Sequence, residues 1–512
     1  MKFLGSSAVP ILIAAAAWAF FQLPENADTG GWFQAWYADR QRCGLLNAEE
    51  FTLYSQRVVT PDGVVPAAVH VRRGVIQWVA PSSRKPPGGR HPVLDYGTSV
   101  IMPGLVDVHM HMSEPGRTHW EGLATGTRAA AAGGFTTVVD MPLNSIPTTT
   151  TPEFLQAKLK ASKGKLAIDV GFWGGLTPEN GGNTTALQEL LDAGVLGLKS
   201  FMCPSGSDFP QTSIDHIKAA LPLLGRYGLP LLVHSELPQP LSEELSGAPQ
   251  VYETYLKSRP PEWERAAISA LIDAARSSPE SARAHIHVVH LSDADSLPLI
   301  TAARASGTKL TVETCTHYIS FAAEEIGNNR TEYKCAPPIR GRANRDKLWE
   351  GLLSGQIDLL SSDHSPSPPE MKLLEEGDFL RAWGGVASTQ FGLPATWTRA
   401  KERGATLEDI ARWWSTKPAE LAQLKNKGSI EAGKDADFVI WDPEAVHTIS
   451  KDTIQFKNKL TPYEGMQVTG KVEHTFVRGQ LVHSQGRFAS PVCGEPIVAF
   501  TPRMAFTGAV PT

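Results

Sequence analysis

Short apolar runs separated by polar, glycine-punctuated stretches dominate the middle of the chain. Between about 100 and 425 they read GLVDVHM (104–110), TTVVDMP (136–142), AIDVGFWGG (167–175) and VLGLKSFM (195–202). The series continues with LPLLVHSE (229–236), AHIHVVHLS (284–292), TKLTVETC (308–315) and QIDLLSSDH (356–364). Continuous runs of this length suit strands buried on both faces, as parallel strands are. Helix-like stretches such as TGTRAAAAGG and TALQELLDAG lie between them, several ending at glycine. Eight buried strands alternating with helices predict an α/β fold, a (β/α)8 TIM-like barrel.

The flanks follow a different period. FTLYSQRVVT, a Pro-Asp-Gly turn and AAVHVRRGVIQWVA precede the barrel, and ADFVIWD (436–442), KVEHTFVRG (471–479) and QLVHSQG follow it. Alternation and β-branched residues predict strands on both sides that pair into one small, sandwich-like β-sheet domain. The expected layout is a leader over 1–44, the small domain over 45–100 and 426–490, the barrel over 101–425 and a C-terminal tail over 491–512.

The leader has one lysine, an apolar stretch from Ala8 to Phe21, then Pro24 and acidic residues. This order predicts a signal peptide or signal-anchor and places the chain in the secretory pathway, at the endoplasmic reticulum. A mitochondrial presequence fits less well, because no arginine precedes Arg40. No membrane contact is expected beyond that N-terminal segment. The sequons at Asn183 and Asn329 could be used in that compartment.

Composition narrows the function by exclusion. Forty-eight basic against 53 acidic residues leave a net charge of −5 on 512 residues, too weak a field for a nucleic-acid partner. Five cysteines exclude a disulfide scaffold. Cys43 and Cys493, near opposite ends, either bridge in an oxidising compartment or remain free thiols.

The chemistry lies at the C-terminal ends of the apolar runs, which form the active-site face of such a barrel. Run one ends in His109 and His111, which as i and i+2 on a strand face the same way. Run four carries Lys199, run five His234, run six His290 and run eight Asp363. Imidazole and carboxylate converging on one face form a metal-ligand set suited to zinc and its neighbours. A protonated lysine ligates poorly, but carboxylation of Lys199 by CO2 would convert it into a bridging carboxylate. His285 and His287 look like decoys, since alternation points His287 away from His290 and His285 opens the strand at the inert end.

The segments DVHMHMSEPGRTHWEG (107–122), GGFTTVVDMPLNS (133–145), GLKSFM (197–202), LVHSE (232–236), HVVHLS (287–292) and SSDHSP (361–366) occur in this order. With KCAPPIR (334–340), WGG (383–385) and KGSIEAGKDADFVIWDP (427–443), they resemble the cyclic amidohydrolases of the amidohydrolase superfamily, and within them the plant-type allantoinase group. The resemblance spans about Phe51 to Arg487. It implies two divalent ions, zinc in the first instance with manganese or cobalt as alternatives. His109 and His111 would hold the more buried ion, His234 and His290 the other, and N6-carboxylated Lys199 would bridge them. Asp363 would complete the first site and act as general base and acid in the hydrolytic opening of allantoin to allantoate by a metal-bridged hydroxide. A homo-oligomer, tetramer or dimer, is also implied.

Departures from related groups bear on the substrate. Dihydroorotases usually carry arginine two residues after the second motif histidine, where this chain has Ser113. Hydantoinases and dihydropyrimidinases usually carry tyrosine five residues after the bridging lysine, where this chain has Pro204. Asn144 is a candidate substrate contact, or an ordinary turn residue. Ala336 stands where serine is usual, at a position that in relatives touches the substrate ring largely through its backbone. The alternatives are a hydantoinase-like ring amidase and a non-catalytic scaffold relative; such scaffolds lack several ligands, whereas all six positions are intact here.

Overall fold

The computed structural model describes residues 43–499, so the apolar leader and the localisation expected from it lie outside the described residues. Alternating sequence before the barrel folds into β1 (Glu50–Thr60), β2 (Gly63–Arg72), β3 (Val75–Pro81), β4 (Val93–Asp95) and β5 (Val100–Pro103). The Pro-Asp-Gly turn joins β1 to β2, with Thr60 opposite Gly63.

The eight apolar runs become the barrel strands. They are β6 (Leu105–Met110), β7 (Phe135–Asp140), a third strand split into β8 (Asp169–Phe172) and β9 (Gly174–Gly175), and β10 (Leu198–Phe201). β11 (Pro230–His234), β12 (His285–Val288), β13 (Leu310–Cys315) and β14 (Leu359–Ser361) complete the set. Their ladders are parallel and form two arcs, β14-β13-β12-β11-β10-β9 and β8-β7-β6. The arcs join through Trp173 on one side. On the other, Met110 bridges His364 and the His111 amide donates to the His364 carbonyl at 2.9 Å. The intervening helices bury one stripe each. Helix Ile214–Tyr227 buries Ile217, Ala220, Leu221 and Leu224, starts at a Ser213 cap and stops at Gly228 with φ 69°, a backbone conformation that favours glycine.

After the barrel, β15 (Phe438–Thr448), β16 (Gln467–Val477), β17 (Gln480–Ser484) and β18 (Arg487–Phe488) return to the first sheet. β15 pairs antiparallel with β5, Ile440 opposite Ile101, so strands from both flanks form one sheet in the order β18-β17-β16-β15-β5-β1-β2-β3. Phe51, Leu53, Val69, Ile101, Phe438, Ile440 and Phe476 make its core. In the stretch assigned to a tail, Pro496 and Ile497 form β19 beside Val170 and Gly171 of β8.

Two devices fasten barrel, small sheet and C-terminal segment together. Lys427 Nζ lies 3.0 Å from Asp169, 3.1 Å from Asp435 and 2.7 Å from Asp437, and Arg478 also pairs with Asp169. Cys43 and Cys493 form a disulfide with Cα atoms 5.4 Å apart, while Cys203, Cys315 and Cys335 are free and buried. Among the described residues, no helix is long and apolar enough to cross a membrane.

Candidate metal centre

The strand-end residues singled out in the sequence meet at one end of the barrel. Asp363 Oδ1 lies 3.5 Å from His109 Nε2 and 3.4 Å from His111 Nε2. One donor atom each of His109, His290 and Asp363 falls within 4.8 Å of the others. The His290 ring centroid is 5.3 Å from that of His109 and 4.5 Å from that of His234. Lys199 is fully buried beside them, its Nζ 5.0 Å above the Phe201 ring, on which His234 also stacks. All six predicted ligands are buried.

Local backbone conformation presents these groups. β12 ends at Val288, and His290 lies beyond it with φ 40°; Asp363 follows β14 with φ 41°. Ser113 at φ 57° and Asn144 at φ 66° follow β6 and β7 in the same left-handed region. Non-glycine residues there cost of order 1–3 kcal/mol each, and such strain gathers at functional sites. The bend after β12 also corrects the expectation for His287. Alternation does not extend past the strand end, so it cannot relate His287 to His290; His287 faces the interior, its Nε2 3.0 Å from Glu313.

The electrostatics suit cation binding. Burial would raise the Asp363 pKa, but His109, His111 and His290 outweigh it and hold the carboxyl well below its usual range. Burial drives His290 well below the usual histidine range, helped by His234 and Lys199. Burial also lowers Lys199 from 10.5 to about 8. Lys199 Nζ and His290 Nδ1 make no hydrogen bond although both are buried. Unpaired buried donors and acceptors call for an explanation, and a cation shared by these groups supplies one.

Carboxylates that the sequence reading left without a role support the ligands. Glu313 Oε1 is 2.6 Å from His109 Nδ1, and Glu236 Oε2 is 2.7 Å from His234 Nε2. Arg259 Nε donates to Glu236 at 3.0 Å. Burial would raise Glu236, but Arg259 and His234 bring it down to about 2. A carboxylate on the far nitrogen of a ligating histidine fixes its tautomer and ring angle. The available signal was an acid inside an apolar run, in TVETC and LVHSE.

A cavity of about 600 Å³ opens beside His234, lined by Pro204, Arg259, Ala336 and Trp383 among others. Asn144 is buried, its Nδ2 3.2 Å from His111 Nδ1 and its Oδ1 without a partner. Ser113 Oγ is buried and unpaired. Arg117 is held by Asp208 at 2.6 Å and by the Trp120 ring at 4.9 Å.

Comparison with known proteins agrees with this geometry. The amidohydrolase family profile matches residues 100–482, and an allantoinase composite domain matches residues 46–99. A probable allantoinase of Oryza sativa subsp. japonica is 51% identical over 505 residues, covering 96% of this chain and 98% of its own. The allantoinase of Arabidopsis thaliana is 51% identical over 471 residues, covering 90% and 93% respectively. Among solved structures, the L-hydantoinase (dihydropyrimidinase) of Arthrobacter aurescens superposes with a TM-score of 0.81 at 27% identity, covering 88% of this chain and 100% of its own.

Proposed function

The chain belongs to the amidohydrolase family, in its allantoinase branch, and from that premise we propose that it opens the hydantoin ring of allantoin by hydrolysis, giving allantoate. The observation that carries this is the convergence of His109, His290 and Asp363, with donor atoms within 4.8 Å of one another at the end of the barrel. His109 and His111 would hold one divalent ion, His234 and His290 a second, with Lys199, carboxylated by CO2, between them and Asp363 on the first. The fit is supported by the unpaired Lys199 and His290 nitrogens. When bound, a pair of such ions, zinc first among manganese and cobalt, supplies Lewis acidity and water of near-neutral pKa.

The remaining chemistry belongs to the chain. Asp363 accepts a proton from the attacking water and returns it to the departing ring nitrogen, one group serving as base and then acid. Its Oδ1 accepts a hydrogen bond from Ser365 Oγ at 2.6 Å, which limits the rotation of the carboxylate between the two transfers. Asn144 places its Nδ2 3.2 Å from His111 Nδ1; with the side-chain amide turned over, its oxygen would accept from His111 Nδ1–H, keep the Nε2 lone pair free and leave the NH2 for the substrate. Ala336, on the cavity wall, contacts the ring through its backbone. An uncharged ring needs no arginine clamp, in keeping with Ser113 and with an Arg117 already engaged by Asp208.

The leader directs the chain to the endoplasmic reticulum, a reading supported by the Cys43–Cys493 bond, since disulfides persist in oxidising compartments. The chain works as a homo-oligomer, dimer or tetramer, which light scattering on purified protein would measure. The substrate is tested with a panel of allantoin, hydantoin, dihydrouracil and dihydroorotate. Turnover of allantoin above the other three supports the proposal; hydrolysis of dihydrouracil without allantoin overturns it.

A further inference from the structure

A polar column runs through the barrel interior below the metal centre, where such barrels are ordinarily filled with branched apolar side chains. Its members come from two adjacent strands. His285 and His287 are i and i+2 on β12, Thr311 and Glu313 are i and i+2 on β13, and His287 lies opposite Thr311 in the parallel ladder. Their polar atoms form an unbroken series. His109 Nδ1 is 2.6 Å from Glu313 Oε1, and Glu313 Oε2 is 3.0 Å from His287 Nε2. His287 Nδ1 is 2.8 Å from Thr311 Oγ1, which is 2.7 Å from His285 Nε2. Glu313, His287 and His109 are buried, whereas His285 and Thr311 are only partly so. The series therefore runs from the ligand cluster towards the opposite face of the barrel.

One proton arrangement satisfies every link with neutral rings and an ionised carboxylate. A neutral imidazole has one donor and one acceptor nitrogen, and a ligating nitrogen must keep its lone pair. With His109 ligating through Nε2, Nδ1 carries the proton and donates to Glu313. Glu313 also accepts from His287 Nε2–H, which makes His287 Nδ1 an acceptor. The Thr311 hydroxyl donates to that nitrogen, and its oxygen accepts from His285 Nε2–H. Burial holds His285 down to about 3, so its ring is neutral too. Reversing the chain would require Thr311 to accept from His287 Nδ1–H and would leave Glu313 Oε2 facing a lone pair.

We infer that His287, Thr311 and His285 are positioning residues, which fix the tautomer and aim of His109 from the far side of the barrel through Glu313. The inference rests on the proposed role of His109 as a metal ligand. The two histidines that look like decoys in the sequence thus acquire a task, although neither touches substrate or metal.

The test uses full-length protein, with zinc binding measured by competition against a chromogenic chelator. His287→Leu leaves Glu313 on His109 but removes its second donor, and should weaken one of the two zinc ions by about tenfold, the low end of the effect of removing a ligating histidine's own partner. His287→Gln should stay within about threefold of wild type, because its amide can donate to Glu313 and accept from Thr311 in the same direction. Thr311→Val, nearly equal in volume, removes both the donor to His287 and the acceptor for His285 and should weaken the same ion about fivefold. Zinc affinity unchanged in Thr311→Val and His287→Leu would overturn the inference. So would an affinity in His287→Gln as poor as in His287→Leu, which would mark a role for the ring in packing alone. If His287→Leu does not fold, zinc affinity unchanged in Thr311→Val, or lowered about tenfold or more in His287→Gln, overturns the inference by itself. A wild-type protein that binds no zinc would overturn the metal-centre proposal and this inference together.

Discussion

Replacing Lys199 by methionine should stabilise the metal-free protein while removing its response to metal. Lys199 is 0% exposed, its Nζ has no hydrogen-bond partner, and burial brings its pKa from 10.5 to about 8. A drop of that size corresponds to about 3 kcal/mol borne by the protonated amine in the fold. The folded-state value lies below the unfolded one, so the penalty is complete below about pH 8 and is relieved as pH rises towards 10.5. Methionine occupies similar space without a charge. The metal-free variant should therefore exceed wild type by about 1–3 kcal/mol at pH 7, the margin narrowing by pH 9.5. With zinc at about a thousand times its dissociation constant, wild type should gain about 4 kcal/mol. The variant, lacking the nitrogen that carboxylation requires, should gain far less. Urea unfolding of chelator-treated protein, with and without zinc at both pH values, measures both effects. A metal-free variant less stable than wild type, or one that gains equally from zinc, would refute this account of Lys199.

Asp363→Asn should retain most zinc by elemental analysis yet lower kcat by about 10²–10⁴-fold, because one group serves as both base and acid. Lys427→Met leaves Asp169, Asp435 and Asp437 without their shared cation; urea midpoints should report a loss of about 3–5 kcal/mol. Its kcat on allantoin at room temperature should match wild type, since the cluster lies outside the active site. Cys493→Ser removes a crosslink between residues 450 positions apart and should cost about 2–4 kcal/mol. Reductant should lower the melting temperature of wild type to that of this variant and leave the variant itself unmoved.

The barrel and the six candidate ligands were legible because His111, His234, His290 and Asp363 sit at or just past the end of an apolar run, while His109 and Lys199 are polar residues inside one. A change of pattern there marks both a strand end and a position facing the site. Glu313 and Glu236 were not legible in the same way. An acid inside TVETC or LVHSE signals burial without naming its partners, and one partner of Glu313 is His109, 204 residues away. The direction of His287 relative to His290 is not readable from alternation, because the strand ends at Val288 and the backbone turns left-handed by His290. The Lys427 cluster was hidden for a similar reason, since it joins Asp169 to a lysine 258 residues on. Periodicity reports which face a residue takes; it does not report what a distant segment brings to that face.

The central claim is that a pair of divalent ions held by this cluster makes the protein a ring-opening hydrolase. Chelator-stripped protein, titrated with zinc in the presence of bicarbonate and assayed for allantoate, tests it most directly. Activity should be absent in the stripped protein and rise to a plateau at two equivalents of metal per chain, as a two-ion site requires. Full turnover of allantoin by stripped protein, or a plateau reached without a second equivalent, would contradict it.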